Sequence, residues 1–129
     1  MQIGMFVAFS HKLTKEQIED AEDSLGVSTF VYPSEDIQKQ MMNVSDDLDP
    51  KEIRELGWKI VAEAMEADCE YFFFAGQPEL LTYCISRVLH EKYMTPVNSV
   101  TKRESVESMI DGKVVKTSSF VHVRWREII

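Results

Sequence analysis

The sequence predicts an α/β protein: a small parallel sheet flanked by helices, with an antiparallel C-terminal hairpin. Three observations predict it. Short β-forming runs alternate with amphipathic helical stretches over the first hundred residues. The first run, residues 3–9 (IGMFVAF), is apolar without alternation, as a strand buried on both faces requires. Residues 105–125 change character, with two β-forming runs meeting at Asp111-Gly112, a hairpin signal. A length of 129 residues, 44% of them apolar, fits one domain over residues 1–129, and no Gly-, Ser- or Pro-rich linker divides it.

The elements follow in order. After the strand Ile3–Phe9, Thr14 and Gln17 make a capping-box pattern. The helix they open carries Ile18, Ala21 and Leu25 on one face and ends at Gly26. Ser28–Tyr32 is rich in β-formers and is stopped by Pro33. Ser34 caps a helix reaching about Met42, with Glu35 and Asp36 in its first turn. The polar stretch 43–49 breaks the chain, and Pro50 suits the first turn of a long helix with an inward stripe of Ile53, Leu56, Trp58, Ile60, Val61, Ala64 and Met65. Tyr71–Ala75 is a third buried strand. Pro78 starts a helix with Leu81, Cys84, Ile85, Val88 and Leu89 facing in, and Pro96–Val100 is a fourth strand ending at Thr101, Lys102 and Arg103. The hairpin pairs Ser105–Ile110 with Lys113–Trp125, with Val121 and Val123 on one face and His122, Arg124 and Arg126 on the other.

Composition narrows the function. A net charge of −8 argues against a general binder of long nucleic acid. The charge is uneven: residues 1–100 hold eight Lys/Arg against eighteen Asp/Glu, and residues 101–129 hold six against four. A local basic pocket could still take a compact anion. Cys69 and Cys84 have no close spacing and are expected as reduced, buried thiols. The start of the chain lacks the pattern of a signal peptide, and no apolar run is long enough to cross a bilayer, so a cytoplasmic protein without membrane contact is expected. No spacing of His, Cys, Asp or Glu suggests a metal site, and no cofactor motif is present.

Two polar, basic clusters stand out. Ser10, His11, Lys12 and Thr14 lie where the first strand passes into a helix, and in open α/β sheets the crevice at the carboxyl ends of strands takes ligands. A hydroxyl, an imidazole and an ammonium beside a helix N-terminus suit an anion; the plain alternative is a capped helix with loop polars. Thr101, Lys102 and Arg103 end the fourth strand, where they suit phosphate or form a solvated turn. His122, Arg124 and Arg126 crowd one strand face, a repulsion that an anion relieves, or that Glu104 or Glu107 across the hairpin relieves instead. Gly76-Gln77 before Pro78 is a weaker phosphate-contacting turn, opposed by Glu79.

The stretches SHKLTKEQ, PSEDIQ, YFFFAG, TKRE and FVHVRWRE together resemble the small CRISPR-associated Csx-type proteins of subfamily twenty, almost end to end. The resemblance implies a Rossmann-like domain related to CARF domains, acting as a homodimeric ring nuclease. Such a protein linearises cyclic tetra-adenylate and switches off type III CRISPR effectors. Carried over, it implies ligand contacts from Ser10, His11, Lys12, Thr101, Lys102, Arg103, His122, Arg124 and Arg126, to which the reading of the helix starts adds Thr14, Gly76 and Gln77. It implies charge stabilisation by Lys102 with Arg103 or Arg124, and proton transfer by His11 or His122. Pro78 and Glu79 depart from the open glycine turn expected of relatives. A module that binds the ring without cutting it is the alternative; an unrelated α/β enzyme or an interaction protein docking through its basic strand is a further one.

Overall fold

The computed structural model describes residues 2–129. It has the small Rossmann-like architecture expected. The elements are β1 (Gly4–Ala8), α1 (Lys15–Leu25), β2 (Thr29–Val31), α2 (Glu35–Met42), α3 (Pro50–Glu66), β3 (Tyr71–Phe74), α4 (Pro78–Glu91), β4 (Thr95–Ile110) and β5 (Lys113–Glu127). They form one five-stranded sheet in the order β2-β1-β3-β4-β5. The first four strands are parallel, and β5 runs antiparallel to β4.

The unbroken apolar run of β1 has a direct cause. All five of its residues are buried, because helices cover both sheet faces. Phe6 and Phe72 stack within the sheet face that α2, α3 and α4 cover, joined there by Ile37, Ile60, Val61, Leu80 and Val88. Met5, Val7, Phe73 and Val97 point to the other face, where Leu13, Ala21 of α1 and Trp125 of β5 cover them. Trp125 meets Phe73 edge to face at 5.0 Å.

Local signals place the helix ends. Thr14 and Gln17 complete their capping box, and Gly26 closes α1 in the left-handed conformation that glycine adopts without strain. Ser34 and Asp49 cap α2 and α3. α3 packs on α4 through Gly57, whose missing Cβ would sit 3.2 Å from the Cβ of Tyr83. Ile53, Leu56, Ile60, Val61 and Ala64 of α3 are buried as expected, and Met65 packs beside them. Trp58 stands outside, 45% exposed, with Arg54 and Arg87 over its ring. On α4 the buried residues are Leu80, Cys84 and Val88, while Leu89 faces solvent. Both cysteines are unpaired and buried. Burial pushes the Cys84 thiol up to about 12; burial, then the charges of Glu70 and Asp68, push Cys69 up to about 11, so neither thiol is reactive at neutral pH.

The main difference from the expected order is at the C-terminal end. The fourth strand does not stop at Thr101: β4 runs unbroken through Lys102 and Arg103 to Ile110. It pairs with β3 only as far as Val97 and continues as one half of a long ribbon with β5. Asp111 and Gly112, both at positive φ, close the ribbon. No described helix is long and apolar enough to cross a membrane. Removing the α1 cap with Thr14→Ala is expected to lower unfolding stability by about 1 kcal/mol, measured by urea denaturation; an unchanged midpoint and slope would show the cap to be redundant.

Candidate functional site

Residues from the two ends of the chain meet at one place. Where β1 passes into α1, a cleft of about 400 Å³ opens between the start of the helix and the root of the β4–β5 ribbon. Its lining includes Phe9, Lys12, Thr14, Glu16 and Gln17 from the first end, and Thr101, Phe120, Val121 and His122 from the second. The cleft thus unites Lys12 and Thr14 from one end of the chain with Thr101 and His122 from the other. It also has two aromatic walls, Phe9 and Phe120, which sequence reasoning did not single out. A larger hollow of about 480 Å³ between α2 and α3 is lined by Lys39, Glu52, Glu55 and Lys59, and its mixed charges lie away from the strand ends where chemistry gathers.

The other expected residues are dispersed. Ser10 is half-buried, and His11 is exposed with its ring edge-on to Phe9 at 5.3 Å. Lys102 lies on the ribbon 3.6 Å from Glu104, and Arg103 lies over the Phe120 ring at 6.0 Å, just beyond the cleft. Gln77 is the N-cap of α4: its side-chain oxygen accepts from the Leu80 amide at 2.7 Å and its amide donates to Glu79. That turn, with Gly76, lies outside the cleft, so it offers no phosphate contact there.

The expected shared face of His122, Arg124 and Arg126 does not exist. Thr101 pairs with His122 and Val100 with Arg124, so Val123 stands opposite no residue of β4. This bulge shifts the alternation by one. His122 therefore shares the α1 side with Trp125, their rings 5.1 Å apart. Arg126 points to the opposite side, towards Leu81 and Ile85 of α4, and alternation puts the exposed Arg124 there too. Glu104 and Glu107 do not compensate these residues; they pair with Lys102 and Lys116.

In place of a basic face there is a hydrogen-bonded chain between α1 and the ribbon. His122, its side chain 4% exposed, contacts Asp20 Oδ2 through Nε2 at 2.8 Å and Ser99 Oγ through Nδ1 at 2.7 Å. Ser99 Oγ also accepts from Gln17 Nε2 at 3.2 Å, and the Trp125 indole donates to the Gln17 carbonyl at 3.0 Å. A carboxylate only accepts, so Nε2 carries a proton. Asp20, with its side chain 28% exposed, is held by this contact at the edge of the protein. Burial pushes its carboxyl up, but hydrogen bonds from His122 and Ser24, with the His122 charge, outweigh that and hold it below the usual value. The available signal was spacing: Gln17, Asp20 and Ser24 flank the apolar stripe of α1 at three- and four-residue steps. Among the described residues, no group of three or more His, Cys, Asp or Glu side chains is placed to hold a metal ion.

Asp20 carries a pH signature. A carboxyl whose folded pKa is depressed stabilises the fold above its unfolded value, and that contribution is lost as pH falls through the folded value. Asp20→Asn is therefore expected to cost about 1–2 kcal/mol at neutral pH, the scale of a charged hydrogen bond at a partly exposed group. The gap to the unaltered chain should close below about pH 4, where carboxyls protonate. Urea melts from neutral to acid pH measure it; a gap independent of pH would assign the effect to packing.

Comparison with known proteins places the chain in a family. The model for the family described as "Uncharacterized protein MJ1673 family" matches residues 3–126. A protein of Methanocaldococcus jannaschii, described as "Uncharacterized protein MJ1673", is 32% identical over 123 residues, covering 95% of each chain. No solved structure matches significantly. The match spans the cleft, the bulge and the whole ribbon, and the chain belongs to the MJ1673 family.

Proposed function

We propose that the cleft between α1 and the ribbon binds a cyclic oligoadenylate, cyclic tetra-adenylate first, and linearises it in the cytoplasm of a prokaryote, ending type III CRISPR signalling. The observation that carries this reading is the convergence of Lys12 and Thr14 with Thr101 and His122 between two phenylalanine rings. Each part suits a nucleotide. Phe9 and Phe120 offer faces on which bases stack regardless of sequence. Lys12 and the first turn of α1 favour a phosphate. The Thr14 and Thr101 hydroxyls can meet ribose or phosphate oxygens. Glu16 on the same wall opposes a long polyanion. The resemblance to the Csx-type proteins supplies the ring and its biological setting.

The chemistry is positioning plus charge stabilisation. A ribose 2′-hydroxyl attacks its own 3′-phosphate. The bond from phosphorus to O2′ forms and the bond to O5′ breaks, leaving a 2′,3′-cyclic phosphate and a 5′-hydroxyl. The 2′-hydroxyl proton goes to a base, and the leaving O5′ takes one. His11, exposed beside Phe9, is the histidine free to exchange a proton with a ligand. His122 has both nitrogens engaged, so its role is to position the wall of the cleft. Lys12 stabilises the phosphorane charge. Arg103, the register partner of Phe120, contacts a ring only where the ring extends past Phe120.

Incubation with labelled cyclic tetra-adenylate, followed by chromatography, tests the reading. Linear product is expected; intact ligand that co-elutes with the protein would favour the binding module, and no binding would overturn both. Lys12→Ala should lower kcat/KM roughly tenfold to a hundredfold, the rate equivalent of a lost charged hydrogen bond. Arg126→Ala, on the opposite face, should leave it unchanged, and equal losses in both variants would place the site elsewhere. Cleavage should also persist in excess EDTA; activity lost to chelator and restored by magnesium or manganese would overturn the mechanism.

A further inference from the structure

The first hundred residues hold only two arginines, Arg54 and Arg87, and the fold brings both to one exposed tryptophan. Arg54 lies one helical turn before Trp58 on α3, and Arg87 comes from α4. Their guanidinium carbons stand 5.5 and 5.2 Å from the centre of an indole ring. Gly57 allows the meeting, because its lack of a side chain lets Tyr83 of α4 lie against α3 next to Trp58. A hollow of about 380 Å³ opens there, lined by Arg54, Trp58, Tyr83, Ser86, Arg87 and His90. That volume lies within the range of small-molecule pockets. Among the described residues no carboxylate lines it, although α3 and α4 together hold six glutamates against four Lys/Arg. Glu91 pairs with Arg87 at 2.8 Å, whereas Arg54 has no carboxylate partner among the described residues. Two guanidinium groups drawn to one ring repel each other unless an anion lies with them, and Glu91 neutralises only one. Stacking occupies a guanidinium's flat face and leaves the N–H donors along its edge for an oxyanion.

We propose that this hollow binds a nucleoside monophosphate, its phosphate held by Arg54 and Arg87 and its base lying against Tyr83 and the exposed part of Trp58. Charge sets the class of ligand. A phosphate monoester carries a charge of about −1.5 to −2 at neutral pH, and two guanidinium edges can share its oxygens. A run of phosphates would instead meet the glutamates of α3 and α4 on either side of the hollow. Aromatic side chains stack on any base, and the Ser86 hydroxyl and the exposed His90 ring offer polar atoms for the sugar. The hollow is separate from the cleft: α3 and α4 cover one face of the sheet, and α1 covers the other. Binding here therefore stands or falls independently of the ring proposed above.

Isothermal titration calorimetry of the full chain with adenosine 5′-monophosphate tests it, and saturable binding is expected. Adenosine and inorganic phosphate, each with one half of the recognition, should both bind more weakly. Arg54→Ala and Arg87→Ala should each weaken nucleotide binding roughly tenfold or more, as the loss of a charged hydrogen bond does. Lys12→Ala, in the cleft, should leave it unchanged. Tryptophan fluorescence of the unaltered chain covers the case in which an arginine variant fails to fold. The nucleotide should shield the exposed Trp58 from quenching by acrylamide, while Trp125, 7% exposed, stays shielded throughout. No saturable binding, no shielding of Trp58, or a loss with Lys12→Ala as large as that with Arg54→Ala would each overturn the proposal. So would inorganic phosphate binding as tightly as the nucleotide, which would leave the aromatic walls no part in recognition. Single-stranded RNA binding more tightly than the nucleotide through Arg54 would overturn it as well, by assigning the hollow to nucleic acid.

Discussion

Everything in this fold depends on the burial of its two central strands from both sides. β1 and β3 hold Phe6, Phe72, Met5, Val7 and Phe73 at or near zero exposure, and side chains that alternate between two faces need cover on both. One face has three helices. The other has only α1, which is too narrow to cover the sheet as far as β4. Trp125 closes that gap, reaching in from the last strand to meet Phe73 and to donate to Gln17 on α1. The C-terminal strand is therefore part of the core, and its register is fixed by where that indole has to lie.

The register has a consequence for the site. With Trp125 facing α1, strict alternation would send His122 away from α1 and into the company of Arg124 and Arg126. The bulge at Val123 prevents this and turns His122 inward, where Asp20 and Ser99 hold it. A buried imidazole must have its nitrogens satisfied, and here every partner comes from another element. His122 thereby couples the start of the ribbon to α1, and α1 begins at the rim of the cleft. Just past the bulge, Thr101, Phe120 and Val121 line the cleft with Lys12 and Thr14.

The sequence made legible whatever rests on local chemistry. The capping box at Thr14 and Gln17, the glycine after α1, the proline at the head of α3 and the Asp111-Gly112 turn all lie where residue type alone requires them. Lys12, Thr14, Thr101 and His122 were legible as polar and basic groups near the two ends of the chain. What stayed hidden is non-local. No residue of β4 announces that it runs through 101–103, because continuation depends on β5 as its only neighbour there. Val123 is as ordinary a strand residue as Val121, so nothing marks the bulge. The outward turn of Trp58 is non-local too, since it depends on how α3 lies on α4.

The electrostatics of the cleft follow from the same arrangement. The body of the chain is strongly acidic, so an approaching polyanion meets repulsion everywhere except near the few cations that face an opening. With Arg124 and Arg126 turned to the other face and Lys102 paired, the cleft keeps Lys12 and the first turn of α1 as its sources of positive potential. One ammonium and one helix terminus match one phosphate group rather than a run of them. Two aromatic walls about that single charge then select for rings over chain length. The small nucleotide of the proposed function, with its bases splayed outward, meets both requirements, whereas a duplex, with stacked bases inside and many phosphates outside, meets neither.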